Sequence, residues 1–560
     1  MTTQIASQQP YIPTITPPRL VHIPGYLRDY LDGLTAPKTV NMSYLLDVGQ
    51  GALTAKIAHI ESFNSGVAAR LRKRLPDKLD FSEVAIIMTS LFVFKNIKMS
   101  KRSEDTLLGV YIADGEHRKG TYDTDQRRMH RLMEPIAPDF KKKDMNDVLD
   151  KIERIVPVVE QTKDKHLFIV NNGMYNQATD TLHPFHPDYI YLTKIPINYV
   201  DQPTCPVITA PDGYKWDVES WIHDLADNDD DTATLIWQVI ADCLQPHYSR
   251  KKSIWFYSEK GNNGKGTVGQ LIKNLLGPGN YASLSVAEFK HEFLKETLIG
   301  VAANIADEND VEMFIDSIKD YKASVTGDDV IINRKYLTPI RLQFLGANIQ
   351  MMNGLPKTKD KSDSFYRRLI LVPFLRSFTN NGERGYIKDD YIHRQPVLEY
   401  VLYKVLHMDF DEYIVPEKSS VLMDSYREKN NPVLEFWNEL KDRFKWQLIP
   451  TQFAYDLFIS WFDINNPSGK PPSKRTFIDT LNAVVNASDD EWEVKNGQND
   501  KVRSQGRMDD DEPLITEFGL DQPLKGNKPS PWVNPNFNGT NKQDIRNFPR
   551  RPTYRGYVRT

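Results

Sequence analysis

Apolar positions along this chain repeat with two periods, and the changes from one to the other divide it. From about Pro24 to Lys98 the spacing is helical, as in L-L-D-V-G-Q-G-A-L-T-A-K-I-A-H-I, after a proline-rich lead-in of about twenty residues. T-L-L-G-V-Y-I-A-D-G predicts a strand ending in a turn, Met145 to Ile155 an amphipathic helix, and His166 to Asn176 a strand and turn. The acidic run Asp227-Asn228-Asp229-Asp230-Asp231 predicts a boundary. From Thr232 to about Tyr413 strands alternate with helices, the signature of an α/β domain. Ser419 to Phe444 is helical, and Gln452 to Val485 predicts two helices around N-P-S-G-K-P-P-S-K-R. After about Asp489 apolar residues thin out, and an irregular stretch ending in a basic tail is expected. The expected domains are therefore 1–228 (α/β), 229–415 (α/β), 419–488 (small and helical) and 489–560 (irregular).

Composition narrows the class. Hydrophobic residues are 40% and charged residues 26% of 560, which fits a soluble globular protein and excludes collagen or a disulfide scaffold. The net charge of −4 hides a basic end, with six Lys/Arg against one Asp from Asn541 to Thr560. Two cysteines, Cys205 and Cys243, cannot build a C-x-x-C zinc site and predict reduced thiols. No apolar run approaches the ~18 residues of a membrane span, and the N-terminus lacks a basic segment followed by an apolar core. A cytoplasmic protein without a membrane partner is expected.

The strongest local signal is I-W-F-Y followed by S-E-K-G-N-N-G-K-G-T, Ser258 to Thr267, and then a helical pattern. Strand, glycine loop and helix is the setting of a Walker A loop. There backbone N–H groups of Gly261, Asn262, Asn263, Gly264, Lys265, Gly266 and Thr267 would cradle phosphates, and Lys265 would reach the β- and γ-phosphates. Glu259 stands where the motif has its first glycine, and Gly266 where it has a magnesium-binding hydroxyl. Thr267 is the next residue able to supply that hydroxyl. The alternative is a Gly/Asn-rich surface turn.

About forty residues on, V-A-A-N-I-A-D-E places an acidic pair after an apolar strand. Asp307 would hold magnesium and Glu308 would deprotonate the attacking water. A third strand, Leu342 to Asn348, ends in an amide that could touch the γ-phosphate, or simply cap a turn. Arg367-Arg368 then precedes L-I-L-V-P-F, where a guanidinium could neutralise transition-state charge.

In this order, phosphate loop, acidic pair, Asn348 and R-R-L-I-L-V-P-F resemble superfamily 3 helicases, most of all the phage and plasmid group allied to poxvirus-type primase–helicases. The resemblance implies an AAA+-like P-loop ATPase core over 229–415, an α/β domain before it and a winged-helix-like domain after it. It further implies ATP and Mg²⁺ as cofactors, Asn348 as sensor, and Arg367 or Arg368 as a finger reaching a neighbour's ATP in a homo-oligomeric ring, a hexamer. The family's DNA-contacting hairpin corresponds to T-G-D-D-V-I-I-N-R-K-Y-L-T-P-I, with Arg334 and Lys335 near its tip.

Other cationic groups suit DNA, single-stranded or forked. Lys474 and Arg475 open a helix, and the tail interleaves Arg546, Arg550, Arg551, Arg555 and Arg559 with Phe548, Tyr554 and Tyr557, a mixture fit for single strands or a solubilising end. Asp123-Thr124-Asp125 lies in a polar stretch and is expected to be a turn or helix cap, not a primase centre, so any primase or polymerase would be a separate partner. The expected activity is ATP-dependent DNA unwinding. A DNA remodeller or loader, or an initiator with a decayed ATP site, remain alternatives.

Overall fold

The computed structural model describes residues 23–34, 40–115, 118–307, 309, 318–335, 337–358, 362–378, 384–465, 470–487, 491–522, 530–532 and 550–560. The chain divides into two compact units, Met1–Met423 and Asp424–Thr560. It is a mixed α/β protein with several separate sheets.

The first unit opens with α1 (Gly25–Asp32), α2 (Met42–Ser65) and α3 (Phe81–Leu91). α3 starts where its sequence says: the Asp80 carboxylate accepts the Ser82 and Glu83 N–H groups, while Glu83 accepts the Asp80 N–H. Most α3 side chains are buried, in one apolar cluster with β1 (Phe94–Lys98), β2 (Thr106–Tyr111), α4 (Gln126–Met133) and α5 (Lys142–Ile155); β3 (Tyr122–Asp123) and β4 (Val158–Val159) extend the strands. These strands form a sheet in the order β3-β2-β1-β4. As expected, Asp125 caps α4, accepting the Arg127 N–H at 2.9 Å.

A meander follows, β5 (Leu167–Val170), β6 (Gly173–Asn176) and β7 (Thr181–His183), then the ribbon β8 (Ile208–Thr209) and β9 (Lys215–Trp216). α6 (Val218–Leu225) and α7 (Asp230–Cys243) come next. The acidic run does not separate two cores. Asp229 caps α7 through the Thr232 N–H, Asp230 and Asp231 sit in its first turn, and one apolar core runs from Phe168 through Trp221 to Tyr413. Residues before 228 thus pack directly on the sheet that follows.

That sheet is parallel, built from β10 (Ser253–Tyr257), β11 (Tyr281–Ala282), β12 (Ala303–Ala306), β15 (Ala347–Met352) and β16 (Leu369–Pro373), with α8 (Lys265–Leu276) after β10. The order is β11-β12-β15-β10-β16, and the register aligns Ser253 with Asn348 and Leu369. α9 (Lys319–Thr326) leads into a hairpin, β13 (Asp329–Ile332) and β14 (Ile340–Gln343), which enters β15 from its N-terminal end. The turn after β1 clamps this hairpin: the Gln343 N–H donates to Met99 O at 2.8 Å, and buried Asp105 accepts the Arg341 N–H at 3.0 Å. α10 (Asp363–Tyr366), α11 (Gly385–Asp389) and α12 (Gln395–Leu406) complete the core, and α13 (Glu417–Asn430) carries the boundary between the units. Both cysteines are free, and Cys243 is buried.

The second unit contains α14 (Pro432–Leu440), β17 (Leu448–Pro450), α15 (Thr451–Asn465), α16 (Lys474–Ala487), β18 (Trp492–Lys495), β19 (Val502–Arg503), α17 (Pro513–Glu517), β20 (Thr553–Tyr554) and β21 (Gly556–Arg559). The expectation of an irregular stretch from 489 to 560 does not hold for its described residues. β21 is the central strand of the sheet β17-β21-β18, with Tyr557 fully buried. Only glycine fits at 556, since a Cβ there would lie 1.9 Å from Ile449 O. Asp509-Asp510-Asp511 leads into buried Glu512, which accepts the Lys445 and Trp446 N–H groups at 2.8 and 2.9 Å. Among the described residues no helix is long and apolar enough to cross a membrane.

Candidate active site

Residues Ser258 to Gly264 form a loop between β10 and α8 that is fixed by its own side chains. Ser258 Oγ donates to Lys260 O at 3.0 Å, Asn263 Nδ2 donates to the same carbonyl, and Asn263 Oδ1 accepts the Lys265 N–H at 3.2 Å. From the segment after β16, the Phe378 N–H donates to Asn262 O at 2.7 Å. Gly264 is left-handed, with φ 84°, and lies against Leu225, so a side chain fits neither its backbone nor its space. Gly264 has no side chain to cap α8; Asn263 takes the Lys265 N–H and Gly264 O the Thr267 N–H, which leaves the Gly266 N–H to meet an anion at the helix N-terminus. A Cβ on Gly261 or Gly266 would meet nothing within 4 Å, so neither glycine is required by packing.

Lys265 is the first residue of α8 and is buried, with 6% of its surface exposed. Its ammonium donates to Asn353 Oδ1 at 3.0 Å and to Ser258 O at 3.4 Å. Burial lowers its pKa to about 8. Thr267, half-buried, lines the same cavity as the loop. Asp307 follows β12 at this same end of the sheet. A Cβ on Gly269 of α8 would be 3.8 Å from its Oδ1, and its Oδ2 forms an ion pair with Lys273, also on α8. Glu308 lies outside the described residues.

Two expectations change. Asn348 is not at the strand end facing the loop. L-Q-F-L-G-A-N is two strands, because Gly346 passes so close to Ala302 that a Cβ would be 2.2 Å from its carbonyl oxygen, and the chain turns there. Asn348 therefore starts β15, at the end away from the loop, buried, with Asn304 Nδ2 3.4 Å from its Oδ1. The amide that meets Lys265 is Asn353, directly after β15, a residue missed by the sequence reading.

Arg367 and Arg368 also lie at the far end, before β16, whose five residues run beside β10. That separates them from the loop by about 16 Å at ~3.3 Å per residue. Arg367 is exposed; Arg368 is turned back onto Ser364, donating to its carbonyl and hydroxyl.

The cationic surfaces divide similarly. Lys335 is exposed at the hairpin tip, whereas Arg334 is half-buried and donates to Thr338 O at 2.9 Å, bracing the turn. In the second unit Arg475 is almost fully exposed at the start of α16, and Lys474 donates to Gln452. Three tail arginines are internal ties, Arg550 to Asp509, Arg555 to Gln498 O, and Arg559 to Lys441 O with its guanidinium over Trp492, whereas Arg551 is exposed. Arg546 and Phe548 lie outside the described residues. Beside the loop opens a cavity of about 290 Å³, walled by Tyr214, Trp221, Leu225, Phe378, Arg384 and Ile387.

Comparison with known proteins agrees with this layout. A model described as D5 N terminal like matches residues 71–245, a family of unknown function matches 256–368, and a Poxvirus D5 protein-like model matches 428–512. Two of the three matches, on either side of the parallel sheet in sequence, are thus to D5-like models. Three solved apo structures of the NrS-1 C-terminal region are similar, at 12–14% identity and TM-scores of 0.39–0.40, covering 73–74% of this chain and 86–88% of theirs. No curated protein matches.

Proposed function

We propose that this protein is an ATP-dependent DNA helicase of superfamily 3, hydrolysing ATP between the subunits of a ring, with an AAA+-like core and a winged-helix-like second unit. The observation that carries the reading is the contact of Lys265 with Asn353, with Asp307 following β12 at the same C-terminal end of one parallel sheet, where open α/β sheets bind ligands. The groups present suit magnesium and a triphosphate. One hydroxyl, Thr267, and one carboxylate, Asp307, are the few protein ligands magnesium takes when phosphates supply the rest. The α8 N-terminus and the Lys265 ammonium would hold and neutralise those phosphates, and bound ATP-magnesium would supply the energy-releasing phosphoryl transfer. Arg367, at the opposite end of its own sheet, suits a neighbour's ATP, which favours a closed ring, a hexamer by family resemblance. Helix–strand–helix–helix followed by two strands, with Arg475 exposed at the start of α16, supports a winged-helix DNA contact.

Strand displacement on forked DNA of defined polarity, with and without ATP, tests this. Displacement must require ATP and vanish in Lys265→Ala. The remodeller reading gains from Arg334, which braces the hairpin instead of facing solvent; ATP hydrolysis without displacement would favour it.

A further inference from the structure

The cavity beside the phosphate loop is more than an extension of the loop. It shares Asn262, Asn263, Gly264, Gly266 and Thr267 with the loop and α8, but its other walls come from α6 (Trp221, Leu225), from Tyr214 after β8, and from the segment around α11 (Arg384, Ile387). These walls are aromatic and aliphatic, a surface that gives a phosphate nothing and a flat ring much. Its volume, about 290 Å³, is at the small end of the ~300–1,000 Å³ range of small-molecule sites. One wall is preassembled. The Arg384 guanidinium lies 3.8 Å from the centroid of the Tyr214 ring, and its Nε is 3.7 Å from Asp212 Oδ2. Asp224, which also faces the cavity, is paired with Arg376.

We propose that this cavity holds the nucleobase of the bound nucleoside triphosphate, stacked on the Tyr214–Arg384 pair. The proposal rests on the reading of the loop as a triphosphate site. A guanidinium lying on an aromatic ring is a planar, polarisable platform, and a base completes the stack. Among the described residues, Asp212 beside the platform and Asp224 in the cavity wall are already engaged by Arg384 and Arg376. Recognition therefore falls on the face of the ring more than on its edge, and every base has such a face. Purine triphosphates are accepted with little discrimination.

The test compares binding of Mg-ATP, Mg-GTP and inorganic tripolyphosphate, which occupies the loop without a base. Arg384→Ala and Tyr214→Ala should each weaken Mg-ATP binding about tenfold, with tripolyphosphate affinity unchanged within twofold. Tyr214→Phe, which keeps the ring, should bind ATP as the natural protein does, which excludes a mere folding defect. ATP and GTP should bind within about tenfold of each other. Unchanged ATP affinity in both alanine variants overturns the proposal, as does an equal loss for ATP and tripolyphosphate. A larger ATP/GTP ratio places recognition on the base edge and overturns the stacking account. If the natural protein binds neither ATP nor tripolyphosphate, the reading of the loop fails first and this inference with it.

Discussion

Lys265 Nζ donates to Asn353 Oδ1 across 3.0 Å, joining the first residue of α8 to the residue directly after β15. A triphosphate entering the loop would find an ammonium and an amide already side by side. Asn353→Ala should keep ATP binding within a few-fold and lower kcat by about 10²–10³, the usual cost of one preorganised polar group. Asn348→Ala, at the other end of the same strand, should leave kcat within twofold and change stability by about 1 kcal/mol. Single-turnover hydrolysis of both variants separates the two; equal rates for them would remove Asn353 from the chemistry.

Buried Lys265 has a pKa lowered to about 8, and phosphates bind its charged form. Free protein therefore loses the ammonium as pH rises through about 8, and ATP must restore it. ATP affinity should fall above pH 8, and binding near that pH should take up a proton. Calorimetry in buffers of different ionisation enthalpy measures the uptake, and pH-independent binding would place Lys265 away from the phosphates.

Lys273 occupies the Asp307 carboxylate, so a magnesium ion at that carboxylate must displace or share with an ammonium. Removing the competing cation in Lys273→Met should lower the half-saturating magnesium concentration for ATP hydrolysis by roughly threefold to tenfold, since one nearby like charge is lost. A rise instead would mean that Lys273 orients Asp307 for the metal.

The arginine pair divides its work. Arg368 is committed to Ser364, and Arg367 is exposed. Arg367→Ala should cut hydrolysis by about 10³–10⁵, the range for an arginine finger, and Arg368→Ala by far less. Mixing Arg367→Ala protein with Lys265→Ala protein should restore some activity, because some interfaces then join an intact loop to an intact arginine. No recovery in verified mixed rings would exclude action across subunits.

At the hairpin, Lys335→Ala should abolish unwinding, keep basal hydrolysis, and lower the salt slope of single-strand binding by about 0.7 for one lost phosphate contact. Arg334→Ala should leave that slope unchanged, because its guanidinium is spent on Thr338 O. Equal slopes for Lys335→Ala and the natural protein would take the tip out of the DNA path.

The parts legible in the sequence are those whose chemistry is local. The loop announced itself because strand, glycines, lysine and helix are contiguous, and α16 begins at Lys474, inside the stretch expected to hold two helices. Asn353 escaped notice because N-I-Q-M-M-N continues an apolar run after Gly346, and only the approach of that glycine to Ala302 shows that one strand ends and another begins. The tail misled for a related reason. Gly556–Arg559 carries the alternation of a strand, but its partners lie about sixty and a hundred residues earlier, among arginines that a composition count assigns to solvent or nucleic acid.

The placement of β21 between β17 and β18 also orders events during synthesis. Until the ribosome has passed Arg559, Leu448–Pro450 and Trp492–Lys495 have no strand between them, and both show open backbone edges. Such distant pairing raises contact order and slows folding, while uncovered strand edges invite association with other chains. The second unit is thus the late and vulnerable step in making this protein, whereas the phosphate loop, contained within the first unit, can form before it.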